Sequence, residues 1–157
     1  MKYFNIVFVC LFFALAGCSA STAPALTPLE IQSLQTREYE QGLDIVFPSV
    51  ISVFQDLGYT VKSADKSTGF ITAESAAKSD KASKFWLGIT KVKQTAATAF
   101  IEEIGSMTKV RLNFVEMENS SSSWGRSDRE DTPILDAQVY QNAFERIDNA
   151  IFVRTAN

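Results

Sequence analysis

Two cysteines, no histidine and a few groups of carboxylates bound the chemistry open to this chain of 157 residues. Without histidine there is no imidazole zinc site, no Ser-His-Asp or Cys-His nucleophile pair, and no usual general base near neutral pH. The carboxylates are Glu102-Glu103, Glu116, Glu118 and the Asp128, Glu130, Asp131 cluster. Paired carboxylates can cleave a glycosidic bond or hold calcium. Glu102 and Glu103, however, are neighbours on a predicted strand and point to opposite faces. The 128–131 cluster lacks the spaced ligands and the glycine of a calcium loop. Ser120 to Ser123 supply four hydroxyls but no Gly-x-Ser-x-Gly elbow. No glycine-rich phosphate loop stands out among only seven glycines. These groups read as solvated faces, and no catalytic residue, metal or cofactor is expected.

Two other groups look made for contact. Lys78, Lys81, Lys84, Lys91 and Lys93 surround Phe85-Trp86-Leu87. Lysine attracts anionic headgroups and tryptophan favours the membrane interface, so Lys84 and Trp86 are candidate membrane or partner contacts. The plainer alternative is a solvated connection that docks Phe85, Trp86 and Leu87 into the core. Trp124, between serines, Gly125 and Arg126, is a candidate partner contact together with that arginine. Packing within its own loop is the alternative. The balance of 15 basic and 18 acidic residues, a net charge of −3, excludes a strongly basic nucleic-acid binder.

The start of the chain reads as an address. Met1-Lys2 is a short positive segment, and Phe4 to Ala16 is uncharged and apolar. That run is shorter than the ~20 residues a spanning helix needs and fits the hydrophobic region of a signal peptide. Leu15-Ala16-Gly17-Cys18 then resembles the lipobox of bacterial lipoproteins. The resemblance implies cleavage before Cys18 and a thioether-linked lipid on its sulfur, with palmitate among the acyl chains. Ser19, in place of the aspartate that favours inner-membrane retention in the enteric family, is compatible with the outer membrane. A plain secreted protein cut after Ala16 or Gly17 is the alternative. Three acyl chains would anchor the protein stably, where one binds only marginally.

The elements that would position the contact residues follow from periodicity. Residues 18–35 are expected to be a lipidated N-terminus and a flexible tether with Pro24 and Pro28, containing a helical turn over Leu29–Leu34. Gln35–Glu40 predicts an edge strand. Val46, Val50, Phe54 and Leu57 predict a helix from Asp44 to Leu57, with Asp44 as its N-cap, Pro48 near its first turn and Gly58 as its stop. Strands are predicted over 59–65 and 70–75, joined by Lys66-Ser67-Thr68-Gly69. A second hairpin is predicted from 95–104 and 109–117. Residues 76–94 are left open between loop, short helix and strand start. Residues 119–131 read as a long polar loop. Asp136 should cap a last helix whose stripe is Val139, Tyr140, Ala143, Phe144, Ile147, Ala150 and Ile151.

The expected fold is α+β: an antiparallel sheet of four to five strands with two helices on one face, forming a single domain over 36–157. The stretch from Leu57-Gly58-Tyr59-Thr60-Val61 through Asp65 and Gly69-Phe70-Ile71, preceded by its helix, is similar to the helix-grip domains of the C lipoprotein of the outer-membrane β-barrel assembly (Bam) complex. The resemblance covers roughly residues 36–153 and implies the helix-grip fold and an envelope location. It implies no binding residue. The expected function is a non-catalytic binding or scaffold subunit in the periplasm, tied to the outer membrane and to an envelope protein partner. The alternative is a periplasmic small-ligand binder or an enzyme acting on cell-wall or lipid substrates. That alternative predicts a pocket between helices and sheet with carboxylates of raised pKa converging in it.

Overall fold

The computed structural model describes residues 26–80, 89–122 and 124–156. In chain order these form α1 (Pro28–Gln35), β1 (Thr36–Tyr39), α2 (Leu43–Asp56), β2 (Tyr59–Asp65), β3 (Phe70–Ser75), β4 (Lys78–Asp80), β5 (Ile89–Ile104), β6 (Met107–Ser122), β7 (Ser127–Pro133) and α3 (Ala137–Thr155). All strand pairings are antiparallel, in the order β1-β6-β5-β3-β2, with β4 also on β5 and β7 also on β6. The fold is α+β, as expected, but the sheet has seven strands rather than four or five.

Alternation along the strands decides which face the helices cover. Thr108, Val110, Leu112 and Phe114 on β6, Ala97, Ala99 and Ile101 on β5, and Ile71 and Ala73 on β3 are all buried. All but Thr108 form one hydrophobic core with Val46, Val50, Val53 and Phe54 of α2 and Tyr140, Ala143, Phe144, Ile147 and Ile151 of α3. Each fully buried Val, Leu, Ile or Phe side chain among them contributes roughly 1.5–3 kcal/mol. Phe114 is the hub, edge-on to Tyr140 at 5.3 Å and to Phe54 at 6.3 Å. The α3 stripe falls at the predicted spacing, and Asp136 caps the helix by accepting the N–H of Gln138 at 2.9 Å.

The start of α2 corrects the expectation. Its N-cap is Gly42, which has no side chain to offer, and Asp44 lies inside the first turn, where it pairs with Lys66. Glu103 of β5 replaces the missing cap: its Oε1 accepts the N–H of Leu43 at 2.9 Å. Pro48 therefore sits inside the helix rather than near its first turn. Gly58 ends the unit with φ +86°, the left-handed conformation that favours glycine. At the other end of the domain, α1 occupies the last eight residues of the segment expected as a tether. A reciprocal capping box between Thr27 and Glu30 opens it.

The largest departure is a wing. The polar stretch 119–131 is not a loop: it completes β6 and then forms β7, joined by a tight turn. The open stretch 76–94 contributes β4 and the start of β5. β5 and β6, sixteen residues each, run past the ends of the helices as a four-stranded extension, β4-β5-β6-β7. Where β3 gives way to β4, Ser75 Oγ accepts the N–H of Thr95 at 2.9 Å and Gln94 Nε2 donates to Ser75 O at 3.0 Å. These bonds bridge the break. Seven extended residues carry the wing roughly 20 Å beyond the core.

Candidate functional site

Alternation continues from the core onto the wing. Phe114 faces the helices, so Glu116 and Glu118 do too. Ala97 faces them, so Thr95, Lys93 and Lys91 follow. Register sets Lys93 opposite Glu118, Lys78 opposite Lys93, and Glu130 opposite Glu118. With no helix above them, Lys78, Lys91, Lys93, Thr95, Glu116 and Glu118 form the floor of an open cleft of about 760 Å³. Leu57 and Gly58, at the end of α2, make its back wall.

The floor is a lattice of ion pairs. Lys91 Nζ lies 2.6 Å from Glu118 Oε1, and Lys93 Nζ lies 2.9 Å from Glu116 Oε1 and 3.3 Å from Glu118 Oε2. Hydrogen bonds from Lys91 and Lys93 hold the Glu118 carboxyl below the ordinary carboxylate range. Those to Glu116 and Glu118 hold Lys93 above the ordinary lysine range. Both shifts stabilise the charged forms. A general acid needs the opposite, a carboxyl kept protonated near neutral pH. The ligand-binding alternative expects a pocket between helices and sheet with carboxylates of raised pKa; this cleft lies on the wing, and its Glu118 carboxyl is shifted the other way. Among the described residues, no group of three or more Cys, Asp or Glu side chains is arranged to hold a metal.

Trp124 stands at the far end of the wing, in the turn between β6 and β7. Ser122 N–H donates to Arg126 O at 2.9 Å, Gly125 N–H donates to Ser122 O at 3.1 Å, and Gly125 takes φ +76°. The turn is thereby fixed by its backbone while its indole is left out: Trp124 is 96% exposed. Packing within its own loop, the alternative weighed above, does not occur. Arg126 beside it is also exposed. The structure thus brings Trp124 and Arg126 together at one tip. Lys84, Trp86 and Cys18 lie outside the described residues. Among those described, no helix is long and apolar enough to cross a membrane.

Sequence reasoning missed the Lys91/Lys93–Glu116/Glu118 lattice. Its signal was present as Lys91-x-Lys93 in the stretch left open and Glu116-x-Glu118 at the end of the last predicted strand, the spacing that puts both members on one face once each segment is extended. A comparison with protein-family models gives no match, and a comparison with curated proteins gives none either.

Proposed function

We propose that this chain is a membrane-anchored, non-catalytic binding or scaffold subunit of a cell-envelope complex. Its anchor is the lipid on Cys18, and its domain faces the periplasm from the outer membrane. The resemblance to the helix-grip lipoprotein domains points to outer-membrane assembly as the setting. The observation that carries the reading is Trp124, an indole 96% exposed at the tip of a projecting wing. Exposed aromatics beside an arginine are the residue types that dominate the energetics of protein interfaces. A wing reaching past the core lets a partner approach without touching the helices. The neutralised floor of the cleft supports a structural role for its charges.

The second reading, a periplasmic small-ligand binder or an enzyme on cell-wall or lipid substrates, draws on the 760 Å³ cleft. Labelling cells with an alkyne palmitate and fractionating their membranes tests the anchor. Label on the wild-type chain, lost in Cys18→Ser together with outer-membrane sedimentation, is the expected result. Label retained in Cys18→Ser overturns it. For the binding role, Trp124→Ala should reduce co-purification of the envelope partner by about tenfold or more. Undiminished co-purification contradicts it.

A further inference from the structure

β7 is a sheet edge with one side vacant. It pairs with β6 alone, from Val115 opposite Pro133 to Ser121 opposite Ser127. All seven of its residues are exposed. Its outer row of backbone N–H and C=O groups meets no other strand among the described residues, and such a row templates pairing with another chain.

The charges decide which chain. On the outer face of the strand, Arg129 closes on Asp131 through two bonds of 2.9 and 3.0 Å, so that face is neutral. On the face shared with the cleft, Asp128 and Glu130 stand two residues apart. Neither takes part in an ion pair among the described residues. Of the lysines on this face, Lys91 and Lys93 are already engaged by Glu116 and Glu118, and Lys78 stands on β4, separated from β7 by β5 and β6.

A second copy of this chain fits badly. Antiparallel self-pairing that keeps the faces matched and engages five or more residues of β7 centres on residue 129, 130 or 131. The first sets Arg129 on Arg129 and Asp128 on Glu130. The second sets Glu130 on Glu130, and the third Asp131 on Asp131. Like charges directly opposite are destabilising. A strand with alternate cations has no such conflict.

We propose that β7 takes on an extended basic segment of the partner as an added strand. Alternate Lys or Arg side chains of that segment meet Asp128 and Glu130, and its end reaches toward Trp124. The inference rests on the reading of the wing as a partner-binding element and names the chemistry of the partner. Main-chain hydrogen bonds to the free edge supply affinity, and the two carboxylates supply the choice of sequence.

The test is a chemical-shift titration of the labelled mature-length chain, residues 18–157, with an end-blocked peptide Thr-Lys-Val-Lys-Thr-Lys-Val. The same peptide with Glu for Lys is the control. The expected result is shift changes and slowed amide exchange concentrated on Ser127–Pro133. Affinity should fall by about tenfold in high salt and by about tenfold or more in Asp128→Lys/Glu130→Lys. Asp128→Asn/Glu130→Gln, a milder change at two exposed sites, should fall in between. Silence on β7 at millimolar peptide, equal binding of the Glu peptide, or charge-reversed protein that binds undiminished would overturn the proposal. A silent titration alongside an intact Trp124 photo-crosslink refutes strand addition and leaves the partner-binding role standing. Peptide binding with no Trp124 crosslink does the reverse.

Discussion

A Cβ placed on Gly69 would lie 1.9 Å from the carbonyl oxygen of Ile101. The close approach is locked by a hydrogen bond in which Ile101 N–H donates to Gly69 O at 2.9 Å. Gly69 also holds φ +72°, at the end of a turn in which Asp65 Oδ1 accepts the N–H and the hydroxyl of Ser67. The turn between β2 and β3 is thus fitted against β5 near its C-terminal end, and it aligns the strands that lead into the wing. Gly69→Ala meets both the strained φ and the clash with backbone, which cannot yield as a side-chain tip would. The expected cost is roughly 3 kcal/mol or more, read as a lower urea midpoint. An unchanged midpoint would contradict the contact.

Glu103 caps a helix sixty residues earlier in the chain by accepting the N–H of Leu43. Because Gly42 offers no side chain, no local group duplicates this bond. Glu103→Ala should cost about 0.5–2 kcal/mol, the usual range for losing a cap. Glu103→Gln, which keeps an acceptor, should recover most of it. Amide exchange of Leu43 and its neighbours reports the effect locally, and equal protection in both variants would sink the assignment.

Phe114 joins the core to the wing. Truncating Phe114 to Ala leaves Phe54, Tyr59 and Tyr140 around a cavity, since their rings lie 6.3, 6.1 and 5.3 Å from its own. A loss of about 3–5 kcal/mol is expected in denaturant unfolding. A loss below about 1 kcal/mol would mean that the aromatic cluster is not the hub of the core.

The wing should respond to pH while the core does not. Glu118 titrates below its ordinary value of 4.5 in the folded state. Its contribution is complete above that value and is lost as pH falls through the lower, folded one. Lys93 is raised from 10.5, so its contribution is complete below that value and is lost as pH rises through its folded pKa. Amide protection across β5 residues 90–95 and β6 residues 116–121 is therefore expected to fall in acid below pH 4.5 and again above pH 10.5. Protection at Val110 and Leu112 should persist into more acidic solution. All these charges are solvent-accessible, so added salt should flatten both limbs. Simultaneous loss of core and wing at the acid limb would contradict the local role of the lattice.

How much of this was legible from sequence depends on burial. β2, β3 and α3 were readable because one face of each element packs on the core, and Ile71-x-Ala73 or Tyr140-x-x-Ala143-Phe144 carries the period. The wing was not, because both its faces are polar. Ser-Asp-Arg-Glu-Asp-Thr-Pro over Ser127–Pro133 shows no hydrophobic alternation, and period-two reading needs one apolar face. What makes β7 a strand is the edge of β6, a partner that local sequence does not announce. The cap of α2 was misassigned to Asp44 for a similar reason: its true acceptor, Glu103, arrives from another strand. Of the contact residues, the serine- and glycine-rich setting of Trp124 left exposure and packing within its loop both open, and the structure leaves it exposed. Its position at the tip of a projecting sheet was not legible.

The most direct test of the central claim is an in-cell photo-crosslink from position 124, with the captured material identified by mass spectrometry. The account predicts one discrete adduct with a single envelope protein, absent when the photo-reactive group is moved to exposed Glu145 on α3, away from the wing tip. A probe at 124 that yields no adduct, or only a smear indistinguishable from the one at 145, would contradict a binding role for the wing.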